Sequence, residues 1–168
     1  MQRLRITLLL FLSVSFNSSF ADALVPDWLS YDSIKKQVHI KLIATENANN
    51  NGLNYNGYSQ GNITLIVPTD WLINISLTNW DASATHDLIL TRPFVEDNIP
   101  SELTGEYSAI KRAYIAPLFA NGTDSLSFTA KAGQYWLFCG VKGHGINGMW
   151  IKIIVNNVQI PNIKNEKT

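Results

Sequence analysis

Seven short runs rich in β-branched and other apolar residues make up much of the chain after residue 37, and turn-forming residues separate them. In one run Ile73, Ile75 and Leu77 alternate with Asn74 and Ser76, as expected when the two faces of a strand meet different surroundings. Short strands at this spacing predict an all-β protein, either a sandwich or a small barrel of antiparallel strands. The runs cover residues 38–45, 63–67, 72–77, 86–91, 125–129, 134–139 and 150–155.

The remaining segments are less regular. Residues 46–61 are rich in Asn and Gly and are predicted to form a long loop. Segment 95–121 lacks clear alternation, and we expect one short helix within it, between residues 101 and 114. Residues 161–168 form a polar tail that is expected to fray. The length of 168 residues suits a single domain, which we assign to residues 24–160.

The N-terminus is typical of an export signal. Two arginines precede an apolar run at residues 6–16, and small residues then allow cleavage after Ala21 or Ala23. A bilayer requires about twenty apolar residues, so eleven predict a removed signal peptide, residues 1–21, with an uncleaved anchor as the alternative. The mature protein should then have no transmembrane span and lie in the periplasm or elsewhere outside the cytoplasm.

Charge and cysteine content narrow the functional classes. Basic and acidic residues number 13 each, which argues against a nucleic-acid binder. Cys139 is the single cysteine. Exported proteins usually pair their cysteines, so an unpaired one needs an explanation. By itself it is more consistent with an inert, buried small side chain than with a reactive one.

The neighbours of Cys139 favour a metal site. His144 and Met149 follow at intervals of five residues, and four of the nine residues from 140 to 148 are glycine, which permits tight turns. A thiolate, an imidazole and a thioether from one loop, with a second imidazole from elsewhere, form the His₂Cys set with a weak axial Met that binds copper in blue-copper sites. Taken singly, His144 is consistent with a surface loop residue and Met149 with core filling.

The second imidazole has few sources, because the chain contains three histidines. His86 begins a predicted strand after the polar turn 81–85 and can face the loop that holds Cys139; taken alone it would be an ordinary strand-end histidine. His39 lies between Val38 and Ile40 in mid-strand, where a solvated side chain is expected. The predicted metal ligands are therefore His86, Cys139, His144 and Met149.

These features resemble the sulfocyanins, blue-copper proteins of the cupredoxin superfamily, and more distantly rusticyanin. The resemblance covers nearly all of the mature chain. It implies a Greek-key β-sandwich, one type 1 copper per chain, and one-electron transfer outside the cytoplasm. It also implies strong ligation by His86, Cys139 and His144, with Met149 as the axial ligand. The segments that carry it are 28–31, 53–58, 63–68, 108–110, 138–141, 143–144 and 148–150.

Two residues depart from the family pattern. Lys142 stands where these proteins usually have Pro before the Gly-His pair, and Asp87 stands where relatives tend to carry Asn or Ser. If the Asp87 carboxylate lies near the Cys139 sulfur it should influence the reduction potential. The alternative is a solvent-facing Asp at the start of a strand.

The predicted function is that of an extracytoplasmic electron carrier, with a haem–copper terminal oxidase or a cytochrome among its redox partners, acting as a monomer. We expect electrons to leave through His144, ringed by Val141, Ile146 and either Pro117 or Leu118. A copper-delivery protein is the alternative. An enzyme is not expected, because a trinuclear copper cluster draws on about eight histidines and a binuclear site on two cysteines.

Overall fold

Alternating burial along two parallel-paired strands builds one face of the core. The computed structural model describes residues 25–95 and 98–166, so the predicted signal peptide lies outside the described part of the chain. Every second residue of β2 and β4 is buried, which matches the alternation in the sequence. The ten strands are β1 Leu29–Asp32, β2 Gln37–Ala44, β3 Ile63–Pro68, β4 Leu72–Asn79, β5 His86–Thr91, β6 Tyr114–Leu118, β7 Thr123–Thr129, β8 Gly133–Phe138, β9 Trp150–Asn156 and β10 Asn162–Asn165.

The strands form two sheets that pack as a sandwich. One sheet has the order β1-β2-β4-β7 and the other the order β10-β3-β9-β8-β5-β6. The prediction of an all-β sandwich is confirmed. The expectation of antiparallel pairing holds for most neighbours but not all, because β2 pairs in parallel with β4 and β3 with β9. Neighbours of this kind are distant in sequence, so their connections cross from one sheet to the other.

The buried core lies between the sheets and extends to the end where Cys139 lies. Cys139 and Met149 belong to this main cluster of buried side chains. A second, smaller cluster lies around Ile89, Trp136 and Phe138, and it explains why β5 is buried along its whole length rather than on alternate residues. A strand covered on both faces has a continuous apolar pattern.

Segment 95–121 departs from its prediction. The helix expected between residues 101 and 114 is reduced to a single 3₁₀ turn, Gly105–Tyr107, and no α-helix occurs in residues 25–95 and 98–166. Strand β6 was not predicted, because Pro117 interrupts its alternation and its burial is irregular. Proline is tolerated there because β6 is the edge strand of its sheet.

The C-terminal segment is also more ordered than its polar composition indicates. Strand β10 pairs antiparallel with β3, with Asn162 opposite Ile66. Thr64 Oγ1 donates a hydrogen bond to Glu166 Oε1 at 3.0 Å. The expected fraying is therefore wrong for residues 162–166, since pairing with an existing strand supplies the backbone partners that the isolated sequence lacks.

Loop 46–61 keeps its predicted irregular character, apart from one 3₁₀ turn at Asn49–Gly52. Asparagine side chains supply the hydrogen bonds that a strand would have made. Asn54 Nδ2 donates to two carbonyls of the loop, at 2.8 and 2.9 Å. Asn56 makes two hydrogen bonds to the backbone of β2: its Oδ1 accepts from Ile43 N–H, and its Nδ2 donates to Lys41 O. No helix in the described residues is long and apolar enough to cross a membrane.

Candidate metal centre

Cys139 directly follows β8, and the loop after it folds back so that two predicted ligands return to the same end of the sandwich. Cys139 N–H donates to Met149 O at 3.0 Å, and Met149 N–H donates to His144 O at 3.0 Å. The glycines permit this path. A Cβ at Gly145 would overlap the ring of Phe138, so the loop approaches that ring more closely than any side chain would allow.

His86 reaches the loop from the start of β5. The register between β5 and β6 shifts here, with His86 opposite Leu118 and Leu88 opposite Ile115. Irregularities of this kind re-aim side chains next to functional sites. The His86 side chain is fully buried.

Three of the four predicted ligands converge on one point. The Nδ1 atoms of His86 and His144 are 3.2 Å apart, and Cys139 Sγ lies 3.6 Å from His144 Nδ1 and 4.0 Å from His86 Nδ1. Bonds of about 2.0 Å to nitrogen and 2.3 Å to sulfur in a trigonal plane would separate the donors by about 3.5–3.7 Å. The observed separations lie around these values, so the donor set fits a metal ion of copper's size and softness. Of the residues that the structure describes, these three form the group able to hold a metal ion.

Met149 and His39 differ sharply in burial. Met149 is fully buried in the same core cluster as Cys139. His39 is exposed in the middle of β2, opposite Ser30 of β1, and takes no part in the cluster of donors. The expectation of a solvated His39 is confirmed.

The surroundings favour the neutral form of both imidazoles. Burial lowers the pKa of His86, and the nearby Asp81 carboxylate partly opposes that effect. Burial also lowers the pKa of His144, and proximity to His86 lowers it further. A neutral ring is the form that binds a metal, so protons compete less for these nitrogens than for exposed histidines.

Burial raises the pKa of the Cys139 thiol, and the negative charge of Asp87 raises it further. The backbone N–H groups of Asp87 and Val141 oppose the increase. Burial and the Asp87 charge therefore favour the thiol over the thiolate when no cation is bound. A bound cation would deprotonate it, so metal uptake should release a proton.

Asp87 is buried, which excludes the solvent-facing alternative. Its side chain is 4% exposed, and Oδ1 accepts a hydrogen bond from Gly140 N–H at 2.6 Å. Tyr55, itself fully buried, donates its hydroxyl to Asp87 O at 2.5 Å. Burial raises the pKa of Asp87 to about 6, partly offset by the Gly140 bond. A carboxylate is thus held against the residue that follows Cys139.

Replacing Asp87 with Asn should raise the reduction potential of the metal-loaded protein. The amide keeps an oxygen for Gly140 N–H but removes a negative charge that favours the more positive, oxidised site. An interaction of about 1.4 kcal/mol, reasonable for a charge near the site, corresponds to about 59 mV for one electron. Voltammetry at pH 8 measures the change, and an unchanged or lower potential would contradict it.

The surface near His144 is partly apolar. The His144 ring is half-buried, Ile146 is 47% exposed and Val141 is half-buried. Pro117 is exposed and Leu118 half-buried at the end of β6. The sequence prediction did not include Phe119, which is 79% exposed and immediately follows this strand.

Aromatic rings pack around Phe138 and Trp150, the neighbours of Cys139 and Met149 in sequence. The indole rings of Trp136 and Trp150 stack with centroids 3.7 Å apart and an interplanar angle of 4°. Phe94 meets Phe138 edge to face at 5.4 Å. These rings belong to the smaller cluster of buried side chains, separate from the cluster that contains Cys139 and Met149, and Phe138 lies against Gly145 of the loop.

Sequence reasoning missed two partners of His86. Its Nε2 lies 3.1 Å from Thr45 Oγ1 and 3.2 Å from Asp81 Oδ2. Hydrogen bonds from Ser83, first of all its hydroxyl, hold the pKa of Asp81 well below its usual range. Asp81 belongs to the polar turn that precedes His86, so its proximity was visible in the sequence; Thr45 gave no such signal.

Comparison with known proteins supports the same assignment. Residues 26–107 and 117–164 match the model of the sulfocyanin (SoxE) domain. A sulfocyanin from Sulfolobus acidocaldarius is 27% identical over 144 residues, covering 78% of this chain and 70% of the relative. With one type 1 copper predicted for the fold, His86, Cys139 and His144 form a possible ligand group for it.

Solved structures show the same fold at low identity. Reduced auracyanin from Roseiflexus castenholzii matches with a TM-score of 0.50 and 19% identity, covering 69% of this chain and 94% of its own. Auracyanin B matches with 0.52 and 17%, covering 81% and 99%. A rusticyanin variant matches with 0.51 and 15%, covering 72% and 78%. The family model spans well over half of the chain, so this protein belongs to the sulfocyanin family of cupredoxins.

Proposed function

We propose that this protein is an extracytoplasmic one-electron carrier with a single type 1 copper. His86, Cys139 and His144 would hold the copper in a trigonal plane, and Met149 would be the weak axial ligand. The observation that carries the proposal is the convergence of three donor atoms, 3.2–4.0 Å apart, in a largely buried site. Bound copper would supply a one-electron couple.

The arrangement of the chain favours electron transfer over catalysis. All the donors come from the protein, and His86, Cys139 and Met149 are each fully buried, which leaves no open position for a substrate. The donors lie on a strand start and a hydrogen-bonded loop, so they are held in place before a metal arrives. A preorganised set changes little between oxidation states, and the full burial of His86, Cys139 and Met149 limits the water that would otherwise reorganise.

His144 is the proposed point of exit. Its ring is half-buried while the other three ligands are enclosed, so it gives the shortest protein path to the surface. The adjacent Ile146 and Val141 form a small apolar surface of the kind that suits brief encounters burying little area. We propose redox proteins as partners, a haem–copper terminal oxidase or a cytochrome among them, with the carrier acting as a monomer.

The proposed location outside the cytoplasm has two supports. The arginines, apolar run and small residues of the first 23 positions have the composition of an export signal. The lone cysteine would be committed to the metal, which would explain an unpaired thiol in an oxidising compartment.

Copper loading of the purified mature chain tests the proposal. We expect one Cu(II) per chain, an intense visible absorption from the thiolate–copper bond, and a paramagnetic resonance spectrum with the narrow copper hyperfine splitting of type 1 sites. A protein that binds Cu(I) alone and stays colourless under oxidant would instead be a copper-delivery protein. A protein that binds no copper would overturn both assignments.

Loading should also raise the melting temperature. Ligand that binds the folded state at about 1,000 times its Kd stabilises it by about 4 kcal/mol. For a chain of this size that corresponds to a shift of roughly 8–16 °C. Thermal unfolding monitored by circular dichroism, with and without copper, measures the shift. Equal melting temperatures would mean that the donors do not form a strong site in the folded protein.

A further inference from the structure

The Nε2 side of His86 faces two oxygen atoms, while its Nδ1 side faces the other predicted ligands. Thr45 Oγ1 lies 3.1 Å and Asp81 Oδ2 3.2 Å from Nε2. The imidazole itself is fully buried, so water does not supply alternative partners. Which nitrogen carries the hydrogen therefore depends on what these two oxygens can accept or donate.

While it donates to Gly52 O, the Thr45 hydroxyl can only accept from His86. A threonine hydroxyl has one hydrogen, and Thr45 donates it to the carbonyl oxygen of Gly52 at 2.9 Å. A carbonyl oxygen has no hydrogen to return, so the hydroxyl is the donor in this contact. Toward His86 the hydroxyl presents a lone pair.

Asp81 can likewise only accept. Its Oδ1 receives hydrogen bonds from Ser83 N–H at 2.7 Å, Ser83 Oγ at 2.6 Å and Ala84 N–H at 3.1 Å. These bonds fix the carboxylate and leave Oδ2 for His86. With acceptors on both sides, Nε2 must carry the hydrogen, and Nδ1 is left with a bare lone pair.

The backbone at Thr45 has an unfavourable conformation, which the contact between Thr45 and His86 accompanies. Thr45 has φ of 59°, a left-handed conformation that β-branched residues rarely adopt. Strained conformations persist where the surrounding structure requires them, and they cluster at functional sites. Here the strained residue directly follows β2 and presents its hydroxyl between Gly52 and His86.

We propose that Thr45 and Asp81 are positioning residues, an acceptor pair that holds His86 as the Nε2–H tautomer and directs its bare Nδ1 toward Cys139 and His144. The inference rests on the proposed function for the identity of the metal. The tautomer, however, is a property of the chain and is measurable without copper.

Asp81→Asn is the sharpest variant. The amide oxygen is needed for the three donors of Ser83 and Ala84, so the NH₂ group must face His86 Nε2. That donor favours the opposite tautomer, with the hydrogen on Nδ1, where it blocks a ligand. Long-range ¹H–¹⁵N spectra of the metal-free protein should show Nε2–H in the parent and a shift toward Nδ1–H in the variant. Cu(I) affinity, measured by competition with a chelator, should fall about 10- to 100-fold.

The variants Thr45→Val and Thr45→Ser distinguish the contribution of the Thr45 hydroxyl from that of its branched side-chain shape. Valine keeps the β-branch but cannot accept a hydrogen bond, so Cu(I) affinity should fall in the same direction as with Asp81→Asn, by a smaller factor. Serine keeps the hydroxyl and should retain the parent tautomer and affinity. Loss of affinity with both variants alike would assign Thr45 a purely structural role and contradict the pair.

Asp32→Asn is the matched control. Asp32 Oδ1 caps a turn in the same way, because it accepts hydrogen bonds from Ile34 N–H and Lys35 N–H. Asp32 lies far from His86, however: it is opposite Gln37 at the start of β2, whereas Thr45, which contacts His86, follows the other end of that strand. It should match the parent in both measurements. An Asp81→Asn protein that behaves like Asp32→Asn, or a parent with hydrogen on Nδ1, overturns the inference. A parent that binds no copper overturns the proposed function instead, and the tautomer then decides the inference alone.

Discussion

Cys139→Ser should abolish the visible absorption of the copper-loaded protein. The band arises from the bond between thiolate sulfur and Cu(II), and a hydroxyl oxygen cannot replace the soft donor that a blue-copper site requires. The change is nearly isosteric, and Cys139 is fully buried, so the variant should fold with a modest loss of stability. Optical and paramagnetic resonance spectra after copper loading measure the loss.

Two further variants make that result specific. His39→Ala removes the exposed third histidine and should leave both spectra unchanged. Met149→Leu keeps a buried apolar side chain of similar volume and should retain a visible band, because the axial bond is weak. A blue Cys139→Ser protein would refute the proposed ligand set, whereas loss of colour in His39→Ala would point to a second site.

Asn79→Ala should destabilise the fold by about 3–5 kcal/mol. The fully buried Asn79 side chain donates to Ala84 O and Leu118 O, both at 2.9 Å, and accepts from Asp81 N–H at 2.8 Å. Alanine would leave these backbone groups unpaired, at about 1–3 kcal/mol for each one that stays buried, and water would satisfy some of them. The midpoint and slope of urea unfolding give the change in the free energy of unfolding.

Asn74→Ala provides the comparison within the same strand. Asn74 is half-buried on the outer face of β4 and bonds Val38 O and Ser127 Oγ. Water can replace those partners, so the cost should stay below about 1 kcal/mol. Equal losses of unfolding free energy for the two variants would mean that the Asn79 bonds contribute nothing beyond those of an ordinary surface amide.

The Asn79→Ala variant should also bind copper more weakly, because Asn79 holds the turn that leads to His86.

The strands were predictable from the alternation of apolar and polar residues, and the ligands from the small number of histidines and cysteines in the chain. Alternation revealed strands such as β4, and the scarcity of histidine singled out His86 once Cys139 and His144 had been recognised. The structure brings these three side chains together. Residue spacing was enough to predict these ligands because the loop is short and its Cys and His residues are rare in this chain.

Other features depend on contacts that no local pattern records. Strand β10 is polar and forms only because β3 offers an edge. Thr45 reaches His86 across 41 positions of sequence, and its left-handed backbone is not expected for a β-branched residue. The burial of Asp87 was equally hidden, since a carboxylate at a strand start is ordinarily solvated.

The parallel pairing of β3 with β9 has a consequence for the order of events during biogenesis. It joins Thr64 to Lys152, so that sheet closes only after a long stretch of chain has been brought together, and topologies rich in such distant contacts fold slowly. His86 and Cys139, 53 positions apart, meet through β5 and β8 of the same sheet. The chain should therefore complete its folding before it acquires copper, and a peptide spanning the Cys139–Met149 loop alone should be a poor ligand.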